Sequence, residues 1–278
     1  MVNSPLLLKG YNTQADGTNN QLPVVTVTRG SITGTFDNGR GNVIAIDLIT
    51  VAEAIGGGSG NGWAYPNDMM VIDLLIGGVQ VLTQVSAAQF VATSDPGTNW
   101  TRTPLEQPGG QTWQINWQEV GATAFYGLQM LAYYENIYDV PAVRNAIFTS
   151  RLKRRFQDFT NRFQTNIKLA TSGRFTIPSS NGNVVGLQLL CTPCVNNGVE
   201  AGTATIAVDG VTIFENVSLA FFQYNSGREQ IFPCVINGGS TFTITYNSNS
   251  VAAAENIYVG VRLYFDNQNE NIYKSICQ

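Results

Sequence analysis

The chain contains no histidine, which removes Ser-His-Asp triads, Cys-His dyads and imidazole-based metal sites. Acid–base chemistry would have to come from carboxylates. Asp47, Asp73, Glu106, Glu119 and Asp209 lie within or beside strand-like stretches. Two such acids flanking a bond are the machinery of glycosidases. The spacing brings no two of them together, and exposed strand or turn positions account for Asp73 and Asp209. No catalytic residue is assigned and no enzymatic activity is expected.

Cysteine chemistry is the second possibility. Cys191-Thr-Pro-Cys194 has the spacing of a metal or redox pair, and Cys234 and Cys277 follow later. A structural zinc site would need all four to converge; a second CxxC pair is missing. Cys191 reads as a small core residue at the end of a strand, and reduced thiols are expected in a chain with no secretory signal pattern. The loop Gly56-Gly-Gly-Ser-Gly-Asn-Gly62 lacks the lysine of a phosphate-binding P-loop and reads as a surface loop. Trp63 and Trp100 fall in loops, where an indole could stack on a sugar, whereas Trp113 and Trp117 alternate along one strand and read as core.

The elements that position these residues are repeated. Pro104, Gly109-Gly110, Thr112, Trp113, Ile115 and Trp117 match Pro233, Gly238-Gly239, Thr241, Phe242, Ile244 and Tyr246 at one constant offset. A Gly-Gly turn feeding aromatic, polar, Ile, polar, aromatic is a half-buried strand leaving a tight turn. Three further stretches recur in the same order: 41–48 with 182–189, 70–79 with 203–211, and 126–136 with 258–267. The spacing predicts a duplicated β domain.

Composition fits. The chain has 278 residues, enough for two domains, and only 12% are charged, about half the usual share. Neutral polar residues do the solubilising, as in β-rich proteins whose surfaces are covered by neighbours. A net charge of −4 argues against a general nucleic-acid binder but leaves local basic patches open. No apolar run is long enough for a transmembrane helix.

The predicted layout is all-β, with two tandem eight-stranded jelly-roll or sandwich domains joined by a helical segment. Residues 1–23 read as an extended arm and 24–138 as the first domain, with 92–111 a long loop. Residues 139–170 read as a helical basic linker, 171–267 as the second domain and 268–278 as a tail. In the linker, Pro141 suits a first helical turn. Val143, Ile147, Leu152, Phe156, Phe159, Phe163 and Ile167 recur near helical spacing. Arg144, Arg151, Lys153, Arg154, Arg155, Arg162 and Lys168 gather there, seven of the fifteen cations. Two accounts stand side by side: a connector helix with solvated cations, or a basic inner face meeting phosphates.

The duplicated Gly109/Gly238 unit, the closing strands at 126–134 and 258–265 and the helix near 141–169 together resemble the double jelly-roll major capsid proteins of tailless icosahedral, membrane-containing phages, those of corticovirus and finnlakevirus type. The resemblance covers the whole chain by architecture and repeat order, without a diagnostic motif. It implies a virion protein assembled in the host cytoplasm as a homotrimer, whose six barrels form a pseudo-hexagonal capsomer. Implied partners are neighbouring capsomers, minor capsid or vertex proteins, and lipid headgroups of an internal membrane or the genome, met by the basic linker. It implies no small-molecule substrate. Family trimers often bind divalent cations; no ligand is assigned here, and no cofactor is expected. Two features depart from the pattern: the linker is more basic than a connector requires, and Cys191 and Cys194 have no role in it. The alternative is a tandem β-sandwich that binds carbohydrate or a receptor, as a spike or vertex protein does.

Overall fold

The structure, a computed structural model, describes residues 6–12, 29–52, 70–86, 103–119, 126–152, 156–164, 171–191, 202–219, 221–222, 230–248 and 256–266. In the first half run β1 (Leu8–Asn12), β2 (Arg29–Thr35), β3 (Val43–Ala52), β4 (Met70–Ile76), β5 (Val79–Ser86), β6 (Thr103–Gln107), β7 (Thr112–Glu119) and β8 (Tyr126–Tyr134). Helix α1 (Pro141–Leu152) follows. The second half holds β9 (Phe156–Gln164), β10 (Thr171–Thr176), β11 (Val184–Cys191), β12 (Gly202–Val208), β13 (Val211–Ser218), β14 (Phe232–Ile236), β15 (Thr241–Ser248) and β16 (Asn256–Phe265).

The strand orders give the architecture. In the first half β2-β7-β4-β5 forms one layer and β1-β8-β3-β6 the other; in the second half the layers are β10-β15-β12-β13 and β14-β11-β16-β9. Numbering each half from its first strand makes the two orders identical. Each is a jelly roll, with two four-stranded antiparallel layers in Greek-key connection. Among the described residues the chain is therefore mostly strand, with α1, a short 3-10 helix at Ser179–Asn181 and helical residues at 219 and 221–222, and it forms two tandem eight-stranded sandwiches.

The duplication extends to single backbone bonds. Phe36 N–H donates to Gln111 O at 3.0 Å and Ile177 N–H to Ser240 O at 2.9 Å; Gly110 N–H donates to Phe36 O and Gly239 N–H to Ile177 O, both at 2.9 Å. Glu135 N–H to Asn42 O and Asp266 N–H to Asn183 O are both 2.8 Å. The Gly-Gly turns are fixed by crowding: a Cβ on Gly109 would meet Asp37 O at 2.5 Å, and one on Gly238 would meet Gly182 O at 2.8 Å. The second glycine of each pair has positive φ, 83° at Gly110 and 92° at Gly239.

The alternating strands do what their pattern predicts. Trp113, Ile115 and Trp117 of β7 are buried in the first core, and Phe242, Ile244 and Tyr246 of β15 in the second. Each such side chain stabilises the fold by about 1.5–3 kcal/mol relative to exposure. Glycines on β2 make room for the indoles: a Cβ on Gly34 would lie 2.2 Å from Trp113, and one on Gly30 2.0 Å from Trp117. Asp209-Gly210 turns β12 into β13 with φ of 49° and 81°, the backbone of a type I′ hairpin.

Three sequence expectations are corrected. The arm at 1–23 contains a packed element, because Leu6, Leu7 and Leu8 are buried and β1 lies inside a sheet. The loop expected at 92–111 contains β6, paired with β3 from Val43↔Gln107 to Ile46↔Thr103. The helix expected across 139–170 ends at Leu152, and β9 pairs with β16 from Tyr264↔Phe156 to Asn256↔Gln164. Phe159 and Phe163 are four residues apart, a spacing that a helix face and a strand face share. Phe159 stacks on Phe175 at 4.4 Å and Phe163 lies 5.3 Å from Tyr246, both inside the second core. Phe156 falls on the opposite strand face. Closing the β14-β11-β16 layer with a fourth strand outweighs local helical preference, so the second jelly roll begins at β9.

What remains of the linker is α1. It lays Val143, Ala146 and Ile147 on the outer face of β11, against Val185, Ile231 and Val235. A Cβ on Gly186 would lie 2.8 Å from Ile147, so this glycine admits the helix. Ser150 Oγ donates to Phe265 O and pins the last turn.

Candidate functional site

The two jelly rolls meet along a seam built by the N-terminal strand. β1 pairs antiparallel with β8 of its own half and parallel with β13 of the other, with Leu8 opposite Phe214 and Lys9 opposite Glu215. One eight-stranded sheet therefore runs through both domains. On one face, Leu7, Leu8, Ala45, Leu131 and Tyr133 join the core of the second jelly roll, where the Tyr133 ring meets Phe221 edge-on at 6.4 Å.

The other face carries charge. Lys9 Nζ lies 3.0 Å from Asp37 Oδ1 and 3.1 Å from Glu215 Oε1; Arg40 lies 3.4 Å from Asp37 and 3.7 Å from Glu215. Burial by itself would lower the Lys9 ammonium, but its bonds and charges with Asp37 and Glu215 outweigh burial and hold it above 10.5. Beneath this network the Tyr11 and Tyr134 hydroxyls lie 2.7 Å apart, and the Asp37 N–H points at both, at 3.1 and 3.0 Å. Burial first, and the neighbouring Tyr134 oxygen next, push the Tyr11 phenol far above its ordinary value. Burial does the same, less strongly, to Tyr134.

A third set of contacts locks the register. Asn216 holds φ at 53°, a strained value for a residue with a side chain. Its N–H donates to Thr205 Oγ1 at 3.0 Å and its carbonyl accepts Gln129 Nε2 at 3.0 Å. Ser218 N–H in turn donates to Gln129 Oε1 at 3.0 Å. Gly10 lets the strands close, since a Cβ there would lie 2.3 Å from Asn216 O and 2.6 Å from Gln129 Nε2. The seam joins the two domains through one continuous sheet.

Among the described residues, the acids singled out in the sequence hold separate places in the fold. Asp73 Oδ1 accepts the Gln84 N–H at 2.7 Å, and Asp209 Oδ1 accepts the Thr241 N–H at 2.8 Å, both structural roles in turns or bulges. Asp47 is buried and accepts the Tyr133 hydroxyl at 2.7 Å, while Glu106 is exposed on β6 and Glu119 ends β7. Cys191 and Cys234 are both buried, and burial pushes Cys234 well above its ordinary value. Cys194, Cys277, Trp63, Trp100, the 56–62 loop and the tail lie outside the described residues. Among the described residues no three Cys, Asp or Glu converge as a metal site, and no helix is long and apolar enough to cross a membrane. A cavity of about 360 Å³ opens where Ile44 and Tyr133 of the first domain face Ile147, Phe232 and Pro233. Its one carboxylate, Asp139, is taken by Arg144 at 2.6 Å.

The basic set is divided between elements. Arg144 and Arg151 lie on α1, and Arg162 is exposed on β9 opposite Tyr258. Lys153, Arg154, Arg155 and Lys168 lie outside the described residues. A single helical face carrying all seven cations does not exist. The element at the seam that sequence reasoning missed is β1; the run Leu6-Leu7-Leu8 beside Lys9 was its one signal.

No known family profile matches the sequence, and no curated protein matches it. Three solved structures show weak likeness. The major capsid protein P2 from bacteriophage PM2 is 11% identical with a TM-score of 0.26, covering 95% of this chain and 100% of that one. A peptide-N(4)-(N-acetyl-β-D-glucosaminyl)asparagine amidase is 12% identical, TM-score 0.25, covering 95% and 98%. The tandem CBM51 modules of a Streptococcus pneumoniae family 98 glycoside hydrolase are 10% identical, TM-score 0.22, covering 85% and 84%. Likeness this weak says nothing about function, and the jelly-roll topology rests on the strand orders of this chain.

Proposed function

We propose that this chain is the wall-forming subunit of a protein shell, the major capsid protein of a virus particle, built as homotrimeric capsomers. One observation carries the reading: two jelly rolls of identical strand order are held edge to edge by a shared sheet and a buried polar seam. A joined pair of equivalent barrels is a building block in which three copies place six similar units around an axis, and nearly six-fold packing tiles a closed surface. The low charge and neutral polar surface suit faces sealed by neighbouring capsomers. The reading needs no reaction, cofactor or small-molecule substrate. It turns α1 toward the particle interior, where Arg151 and Arg162 would meet phosphates of lipid or genome.

The test is the solution mass by light scattering at moderate salt. A stable species near three times 30.1 kDa is expected, and imaging of particles assembled from it should show shells. A monomer at every concentration, joined by glycan binding that is lost when Trp63 and Trp100 are replaced, would overturn the reading in favour of a carbohydrate-binding tandem sandwich.

A further inference from the structure

We infer that copies of this chain join through the free edges of β9 and β5, repeating between molecules the seam that joins the two jelly rolls within one. The inference rests on the homo-oligomeric reading above and names its contact. Inside the chain the seam uses β1, an edge of the first jelly roll, and β13, an edge of the second. By position in the repeat, the counterpart of β1 is β9 and that of β13 is β5. Both end their strand orders, β14-β11-β16-β9 and β2-β7-β4-β5, so no strand among the described residues covers either one. Each copy therefore keeps one unused edge of each kind, the arrangement that head-to-tail rings require.

Two side chains on these edges, Phe156 and Val81, are exposed counterparts of buried ones. Leu8 is 0% exposed in the seam and its counterpart Phe156 is 41% exposed; Ile213 is 4% exposed and its counterpart Val81 is 36% exposed. Val79 is also open, at 69%. Apolar side chains on an uncovered strand edge invite pairing unless a partner is meant to cover them.

The bulge is repeated too. Gln84 holds φ at 47°, the counterpart of Asn216 at 53°. Its N–H donates to Asp73 at 2.7 Å, as that of Asn216 donates to Thr205 at 3.0 Å. The register of β4 against β5 shifts between Ile72 and Leu75, and that of β12 against β13 between Ala204 and Ala207, the same places in the repeat. At Asn216 this strain aims a carbonyl across the seam at Gln129. β5 keeps the same device on an edge that meets no other strand among the described residues. Positive φ in a residue with a side chain is held only where the surroundings enforce it.

The copy is not perfect, and the differences set its character. Where Gly10 admits Asn216, β9 has Asp158, held by Arg262 at 2.7 and 2.8 Å. Where Lys9 meets Glu215, the counterparts are Gln157 and Thr83. The intermolecular seam therefore stands wider at Asp158, has no ion pair there, and depends on Phe156 meeting the Val81 side of β5.

Two measurements on the full-length chain test this. Thr83→Cys with Gln157→Cys in one chain should give, with a short bis-maleimide, a covalent ladder that stops at three; either substitution alone should not. Phe156→Glu and Val81→Glu, each checked for an unchanged circular dichroism spectrum, should each abolish the trimer. An equimolar mixture of the two should form dimers, because one sound β9 then meets one sound β5. If the wild type is trimeric, both Glu variants stay trimeric and no ladder forms, the edge assignment is wrong while the shell reading stands. A wild-type chain that is monomeric throughout overturns both. A ladder running past three keeps the seam and overturns the closed trimer.

Discussion

The Tyr133 hydroxyl donates to the buried carboxylate of Asp47 at 2.7 Å, and one jelly roll later Tyr264 donates to Gln188 Oε1 at 3.2 Å. The same two strand positions hold the same bond, once to a carboxyl group and once to an amide. Hydrogen bonds to charged groups contribute about 1.5–3 kcal/mol and neutral ones about 0.5–1.5 kcal/mol. With Asp47 ionised, Tyr133→Phe should lower unfolding free energy by about 2 kcal/mol, against about 1 kcal/mol for Tyr264→Phe. Urea denaturation followed by tryptophan fluorescence decides it; equal losses would contradict the argument.

Gly10→Ala places a methyl 2.3 Å from Asn216 O, so β1 and β13 must separate. Overpacking of this kind costs about 1–3 kcal/mol, and here it falls on the seam that couples the domains. The expected outcome is a lower first midpoint in calorimetry and separation of one transition into two. A single unshifted transition would show that the domains are coupled elsewhere.

On the alkaline side, Tyr11, Tyr134 and Lys9 all have folded values raised above their ordinary ones of 10.0, 10.0 and 10.5. A raised value means that the folded state keeps the proton longer. Their contribution is complete below those ordinary values and is lost as pH rises through the folded ones. Buried Cys234, raised above 9.0, has the same sign and begins earlier. The midpoint of thermal unfolding should hold up to about pH 9 and fall steadily above about pH 10. Tyr11→Phe should flatten that fall, and an unchanged slope in the variant would exclude the phenol as its source.

Gly34→Ala brings a methyl to 2.2 Å from the Trp113 ring and Gly30→Ala one to 2.0 Å from Trp117. Each should destabilise the first jelly roll by about 1–3 kcal/mol and shift the tryptophan emission of the folded protein. Unchanged emission with unchanged stability would mean that the indoles do not lie across β2.

Much of the fold was legible in the residues because strands and turns are local. The Gly109/Gly238 turns, the Trp113–Trp117 and Phe242–Tyr246 alternation and the order of the repeat announced two equal β domains, and the core residues fell on the predicted faces. The basic segment misled because Phe159 and Phe163 suit a helix and a strand equally, and only the unfilled place beside β16 chose the strand. β6 and β1 were hidden for a related reason: short segments become strands only when an edge offers hydrogen bonds. The proposed contact edges belong to the same class. Nothing in Leu8 or Phe156 says that one is buried and the other exposed. That difference arises because β1 finds β13 within its own chain, while among the described residues β9 ends its sheet. Sequence by itself determined which segments are equivalent; tertiary structure decided which equivalents are already paired and which are left open, since pairing depends on where distant edges come to lie.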